Sequence, residues 1–158
     1  MVTNMKLRDI IRYILLNYPY NFDLNKTRLT KLVYLVDWEM AKRNISLCSG
    51  INWYFDNYGP YVQDVMKEAT SDEQIKINEG VSMYGGAKYT FELVGTQPKE
   101  FKNLTSEEME IIDDVIKNTK NMSFNDFINY VYETPPVIKT PKYHFLDLEK
   151  IAAEIINK

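Results

Sequence analysis

The sequence is poor in the two side chains that most often bind metals or act as catalytic bases. Among 158 residues there is one histidine, His144, and one cysteine, Cys48. A single cysteine excludes an internal disulfide, so we interpret Cys48 as a small, half-buried apolar group in a reducing cytoplasm. Metal sites usually need three or four donors, and His144 has no carboxylate at ligand spacing. The sequence therefore predicts no metal site, no cofactor and no histidine-dependent catalysis.

Long hydrophobic runs are also lacking, and so is an excess of charge of one sign. No run approaches the roughly 18 uncharged apolar residues that span a bilayer, and the start shows no secretion signal. The 19 Lys and Arg against 22 Asp and Glu give a formal net charge of -3, and the basic residues form no stripe that would follow phosphates. We expect a cytoplasmic protein without a membrane or nucleic-acid partner.

What the sequence does contain is a globular composition with helical periodicity. Hydrophobic residues make up 45% and charged residues 26%, which suits one domain over residues 1–158. Apolar spacing predicts helices over 6–17 and 26–43, and the second of these stretches has no proline or glycine. The face of this helix opposite its main apolar stripe carries Tyr34 and Trp38 one turn apart, beside Lys31 and Lys42. We expect another helix to cover these two aromatic residues, which are also the first choice of anchors for a partner.

Capping and turn residues divide the second half of the chain. Thr105 and Glu108 have the spacing of a capping box and begin a helix that reaches about Lys120. Another helix starts at Ser123 and stops near Thr134, before a loop through Pro141. Two strands, over 73–79 and 88–94, are joined through a glycine turn, and residues 145–158 form a C-terminal amphipathic helix. The fold class is α+β and mostly helical: a compact helical bundle with a small antiparallel β element.

Acidic residues crowd the predicted helix that follows Thr105. They could indicate a cation site, but we interpret them as a solvated face whose first members favour the positive end of the helix. The residues concerned are Glu107, Glu108, Glu110, Asp113 and Asp114.

Aromatic residues surround one glycine-proline step, in the segment from Trp53 to Tyr61. A strand over 51–55 is predicted to turn Trp53 inward. Gly59 is predicted to cap a short helix of which Pro60 is the first residue, where a missing N–H costs nothing. For the two flanking tyrosines, Tyr58 and Tyr61, burial and recognition of a partner are equally compatible with the sequence.

Two of these motifs, in this order, resemble those of a known family. The stretch 28–34 (Arg-Leu-Thr-Lys-Leu-Val-Tyr) is similar to its basic-Leu-x-Lys-Leu-x-Tyr helix, and Trp53 followed by 58–62 (Tyr-Gly-Pro-Tyr-Val) to its aromatic strand and Tyr-Gly-Pro step. Looser similarity at 88–95 and 132–136 extends the resemblance over about residues 5–140. Thr30 and Val33 depart from the family pattern, which often has Gln and Leu there. The family is that of the SocA-like antitoxins, or Panacea domains, of bacteria and phages.

This resemblance implies an antitoxin that neutralises a toxin, encoded by a neighbouring gene, through direct protein–protein binding and without catalysis. It permits an alternative role as an adaptor that delivers the toxin to a protease, and a phage-encoded host-interaction protein is a further alternative. An enzyme is disfavoured because no convergent polar site can be argued. The residues predicted to bind the partner are Lys31, Tyr34, Trp38, Tyr58 and Tyr61. Those predicted to shape the motif are Leu32, Trp53, Gly59 and Pro60.

Overall fold

The structure, a computed structural model, describes residues 4–45, 49–95 and 100–156; the prediction for Cys48 lies outside these ranges. The α+β, mostly helical class is confirmed. In chain order the described helices and strands are α1 (Met5–Asn17), a 3-10 turn (Asn21–Asp23), α2 (Lys26–Lys42), β1 (Tyr54–Asp56), β2 (Gly59–Tyr61), α3 (Asp64–Ser71), β3 (Ile75–Val81), β4 (Ala87–Leu93), α4 (Ser106–Thr119), α5 (Phe124–Tyr132), α6 (Pro135–Lys139) and α7 (Leu148–Ile156).

Helix α2 lies at the centre of the fold and contacts α1, α3, α4, α5, α7 and β2. Every residue from Arg28 to Trp38 is buried. A helix that is apolar on two sides is expected to be covered on both, and this accounts for the aromatic back of α2. Leu32, at 0% exposure, belongs to the core side of the helix.

At the start of three helices, a side chain accepts a hydrogen bond from a backbone N–H group of the first turn. Asn4 and Asn25 cap α1 and α2, and Thr105 forms the predicted capping box with Glu108 at the start of α4. The interpretation of the acidic residues of α4 as a solvated face is wrong for Glu108, which is buried. Its carboxylate accepts the Thr105 N–H at 2.8 Å and pairs with Lys6 at 2.7 Å.

The glycine-proline step starts a strand and not a helix, which corrects the prediction for Gly59 and Pro60. Strand β2 pairs with β1 through the turn at Asn57 and Tyr58, and Phe55 lies opposite Pro60. Phe55 directs its own N–H and carbonyl to the other edge, toward residues 143–146. Pro60 therefore faces no acceptor on β1, and its missing N–H costs nothing in a strand either. Helix α3 begins only at Asp64.

The second hairpin, β3–β4, agrees with the prediction. Its seven residue pairs run antiparallel from Ile75 with Leu93 to Val81 with Ala87. Phe91 on β4 is buried, whereas Val81, Met83 and Tyr84 at the tip are exposed. The hairpin thus contributes Phe91 and Ile75 to the core and presents apolar residues to solvent at its end.

The C-terminal part differs from the prediction in two details. Pro135 and Pro136 occupy the first positions of α6, where proline is tolerated, so this stretch is helical and not a loop. Helix α7 begins at Leu148, because residues 143–146 run beside β1 instead. Ile151 and Ala152 of α7 are buried and the helix packs on α2. Within the ranges given above, no helix combines the length and the apolar character that crossing a membrane requires.

Candidate functional site

The hairpin β1–β2 holds the residues of the glycine-proline motif against α2. On one side of β1 lies β2, and on the other side residues 143–146 donate and accept backbone hydrogen bonds. The N–H of Phe55 donates to the His144 carbonyl at 3.0 Å, and the N–H of Leu146 donates to the Trp53 carbonyl at 2.8 Å. Three short extended segments therefore form one small platform, and its two-residue turn projects Tyr58.

Lys31 lies beneath this platform and is only 1% exposed. Its Nζ donates a hydrogen bond to the Pro60 carbonyl at 3.2 Å. Burial lowers the pKa of the Lys31 ammonium to about 8, and the negative charge of Asp56 partly opposes this shift. The lysine that follows Leu29-Thr30 in the motif thus fastens α2 to the outer edge of β2 through the carbonyl of Pro60, a residue that has no N–H of its own.

Tyr34, one turn further along α2, joins the platform to the end of α5. Its ring packs edge-on against Trp53 with centroids 5.5 Å apart. The Thr134 hydroxyl donates its one hydrogen to the Val131 carbonyl at 2.6 Å. In the 2.8 Å hydrogen bond between the Tyr34 and Thr134 hydroxyls, Tyr34 is therefore the donor. Burial raises the pKa of Tyr34 above its ordinary value and keeps this hydroxyl protonated.

Asp37 is a buried carboxylate beside the platform, which sequence reasoning missed. Its oxygens accept hydrogen bonds from the Trp53 indole N–H at 2.7 Å, from the Ser49 N–H at 3.2 Å and from the Ser49 hydroxyl. A buried carboxylate with several donors is held in a fixed orientation. The available signal was an acidic residue three positions after Tyr34, within the otherwise apolar side of α2.

Gly59 gives the start of β2 a backbone conformation that other residues rarely adopt. Its φ is +97°, a conformation that side chains rarely adopt, and an added Cβ would lie 3.5 Å from the Tyr132 ring and 3.7 Å from Lys31. Tyr132 also packs edge-on against Phe55 at 6.1 Å. These Cβ distances are ordinary van der Waals contacts, so it is the backbone conformation that favours glycine at this position of the motif.

Aromatic side chains of the platform that point away from α2 form an exposed surface. Because Phe55 and Pro60 face inward, their neighbours Tyr54 and Tyr61, paired across the strands, face outward. Tyr58 is 79% exposed and Phe145 is 69% exposed. The ring of Phe145 packs edge-on against Tyr54, and Tyr143 donates to the Asn57 side chain at 2.6 Å. We call this set the aromatic patch: Tyr54, Tyr58, Tyr61, Tyr143 and Phe145.

A depression of about 510 Å³ borders the aromatic patch. It lies between residues 51–53 and 145–149, with Phe145 on its rim and Trp53 in its wall. Its lining mixes apolar side chains with the polar residues Asn52, Asp147 and Glu149, and a concave surface beside exposed rings can enclose a side chain of a partner. Sequence reasoning missed Tyr143 and Phe145, since they reach the platform only through the fold and no local pattern indicates this.

The structure separates the five residues predicted to bind a partner into two groups. Tyr58 and Tyr61 belong to the aromatic patch. Lys31, Tyr34 and Trp38 are buried, the last beneath the Lys42 ammonium at 5.7 Å from its ring. In this conformation the three buried side chains support the platform and offer no surface to another molecule.

The side chains of the platform offer apolar contacts and hydrogen bonds. Within the described part of the chain, no group of three or more His, Cys, Asp or Glu side chains could hold a metal ion. His144 is exposed, and its Nδ1 contacts the Lys142 carbonyl. The platform thus presents a large, preorganised aromatic surface, which is suited to recognition of another protein.

Comparison with known proteins gives a family match. The family model for "Antitoxin SocA-like, Panacea domain" matches residues 29–136, a range that contains the glycine-proline motif, Lys31 and Tyr34 together with their contacts at Tyr132 and Thr134. Neither the curated proteins nor the solved structures contain a match. Since the family model covers most of the chain, this protein belongs to the SocA-like antitoxin family with a Panacea domain.

Proposed function

We propose that this protein is an antitoxin that neutralises a protein toxin, encoded by a neighbouring gene, by direct binding through the aromatic patch. Membership of an antitoxin-like family supports the role. The observation that carries the choice of surface is the exposure of Tyr58 and Phe145, two large rings on a platform braced by buried hydrogen bonds. Binding without a chemical step makes the inhibition stoichiometric.

In such an interface the aromatic patch would supply the residues that dominate the binding free energy. A standard interface buries about 1,600 Å², and a few aromatic anchors dominate its binding free energy. Rings held by a rigid platform lose little conformational entropy on binding. In this proposal Lys31, Tyr34 and Trp38 contribute indirectly, because they fix the platform on α2.

Co-expression of the chain with the product of the neighbouring gene tests this proposal. We expect the wild type to restore growth and to retain the toxin in a pull-down, and the double variant Tyr58→Ala/Phe145→Ala to fail in both. Loss of two anchors at about 2 kcal/mol each weakens binding roughly a thousandfold. Leu16→Ala removes an exposed apolar side chain on α1 and serves as the matched control. Full protection by the folded double variant would refute the choice of surface.

A further inference from the structure

Arg28, near the start of α2, is a buried cation that has no carboxylate partner among the residues the structure describes. It is 2% exposed, and the acceptors that its guanidinium finds among these residues are neutral oxygens, the Tyr18 hydroxyl at 2.9 Å and the Met122 carbonyl at 3.2 Å. Its Nε is buried and has no hydrogen-bond partner within the same part of the chain. Over the described ranges, no ion pair includes Arg28.

Such an arrangement is costly unless another group completes it. A buried charge is normally paired with an opposite charge, and a guanidinium carries five N–H donors, more than two oxygens satisfy. The Phe127 ring, 4.8 Å from the guanidinium carbon, compensates only in part. A buried arginine with spare donors is typical of a site that binds an anion.

Arg28 borders a cavity of about 140 Å³. Lys88 of β4 also lines it and forms no ion pair among the residues described. Among the described residues that line the cavity, Asp23 is the one carboxylate, so at neutral pH the two cations leave a single positive charge in excess. The lining residues are Phe22, Asp23, Asn25, Arg28, Lys88, Met122, Ser123 and Phe124.

Two helix N-termini add positive potential to the same cavity. Asn25 caps α2, a helix of 17 residues, and Ser123 caps α5, a helix of nine. Both caps lie in the cavity wall. Backbone N–H groups and the helix dipole favour an anion at such a position, and they act here together with the buried guanidinium of Arg28.

The cavity adjoins a larger groove of about 690 Å³ that shares Asn25, Lys88 and Phe124 with it. The charged residues that line this groove, Lys26 and Lys88, are both basic, although the whole chain carries a net charge of -3. The remaining wall is largely the exposed apolar tip of β3–β4: Val81, Met83 and Tyr84. The groove therefore matches an acidic residue with apolar neighbours.

We propose that the Arg28–Lys88 cavity binds a carboxylate of a partner protein, whose adjacent apolar side chains lie in the groove along the β3–β4 tip. One excess positive charge suits a carboxylate better than a phosphate, which carries close to two negative charges at neutral pH. The proposal depends on the proposed function only for the identity of the partner. The carboxylate site itself can be tested on the isolated chain.

The test is an NMR titration of the ¹⁵N-labelled chain at constant ionic strength with three probes. N-acetylphenylalanine provides a carboxylate beside a ring, N-acetylphenylalaninamide lacks the charge, and inorganic phosphate supplies the other anion. We expect saturable shifts of the Arg28 Nε–H and of the Lys88 and Phe124 amides with the carboxylate, in a roughly millimolar range. Equal binding of the amide, absence of saturation, or tighter binding of phosphate would overturn the assignment.

Substitution of Lys88 tests whether the carboxylate probe binds in the Arg28–Lys88 cavity. Lys88→Gln removes one cavity cation from a half-buried strand position and is expected to weaken carboxylate binding roughly tenfold. Lys76→Gln on β3 removes the same charge from an exposed residue that faces Glu92, and is expected to leave binding unchanged. Equal effects of the two variants would contradict the site. Arg28→Lys keeps the charge but loses the planar fork, so unchanged affinity in that folded variant would also contradict it.

A further comparison separates this inference from the proposed function. If Lys88→Gln weakens binding of the carboxylate probe while toxin neutralisation is intact, the cavity is not part of the toxin interface and the proposed link to the partner fails. If the aromatic patch variant fails to neutralise while the probe still binds, the carboxylate site remains supported.

Discussion

At the residue scale, the most informative side chain is Lys31, because its burial is not what a lysine prefers. It lies under the platform, bonds to a single backbone carbonyl and is lowered in pKa by burial. The lysine of the motif thus has a structural role. Sequence reasoning placed Lys31 on a surface for a partner and did not anticipate its burial. An amphipathic pattern assigns a lysine to the surface by default, whereas here the platform covers it.

Replacement of Lys31 by methionine is expected to change the pH dependence of stability. The pKa of Lys31 falls from 10.5 in the unfolded chain to about 8 in the folded one, so the folded chain loses this proton first as pH rises. The cost of burying the ammonium is complete below pH 8 and disappears by pH 10.5. The wild type should therefore gain about 3 kcal/mol of unfolding free energy relative to Lys31→Met across this window.

Urea unfolding of both proteins at several pH values measures this difference. Subtraction of the variant removes the titration of groups that the two proteins share, such as Tyr34, whose pKa is raised by burial. A difference in unfolding free energy that stays constant between pH 8 and 10.5 would show that the Lys31 ammonium is solvated in the folded chain.

Gly59→Ala tests the backbone requirement at the same site. Because φ is +97° at Gly59, we expect a loss of about 1–2 kcal/mol of unfolding free energy. Gly80→Ala, at a strand position without a positive φ and with its nearest backbone oxygen at 4.0 Å, is the control and should cost less. Urea unfolding compares the two, and equal losses would argue against conformational strain at Gly59.

At the element scale, helices were predictable from sequence and the strand pairing at the corner was not. The spacing of Leu7, Ile10 and Ile14 defines α1, and Thr105 with Glu108 defines the start of α4, because both signals are local. The Gly59-Pro60 step carries equally good local signals for a helix start. Its pairing with β1 depends on residues 143–146, which occupy the far edge of β1 and let Pro60 face no acceptor.

Removal of the capping box at α4 is a prediction at this scale. Thr105→Ala leaves the Glu108 N–H without its side-chain acceptor and should cost about 1 kcal/mol of unfolding free energy. Thr105→Ser keeps the hydroxyl and should be close to the wild type. Thermal unfolding followed by circular dichroism compares the variants. If alanine and serine were equally destabilising, the hydroxyl would not be the group that matters.

At the scale of the whole molecule, the buried residues of the central helix α2 support the platform, and the exposed residues of the platform are those proposed to bind a partner. Tyr34 and Trp38, expected to be covered by another helix or to anchor a partner, are buried in this conformation, and Tyr34 contacts Trp53 and Thr134. The aromatic patch and the Arg28–Lys88 cavity are assembled from distant parts of the chain. Sequence reasoning identified Tyr58 and Tyr61, because they flank the glycine-proline motif. It did not identify Tyr143 or Phe145, nor that Arg28 is buried with no carboxylate partner among the described residues, since these features depend on tertiary contacts.

The measurement that tests the central claim most directly is a titration of toxin activity with the purified chain. We expect the residual activity of the neighbouring gene's product to fall linearly and to reach zero at an equimolar ratio. The toxin should be recovered chemically intact from the complex. The double variant Tyr58→Ala/Phe145→Ala should form no stable complex with the toxin at the same concentrations. Complete inactivation by a small fraction of an equivalent, or toxin that is covalently altered, would contradict an antitoxin that acts by binding alone.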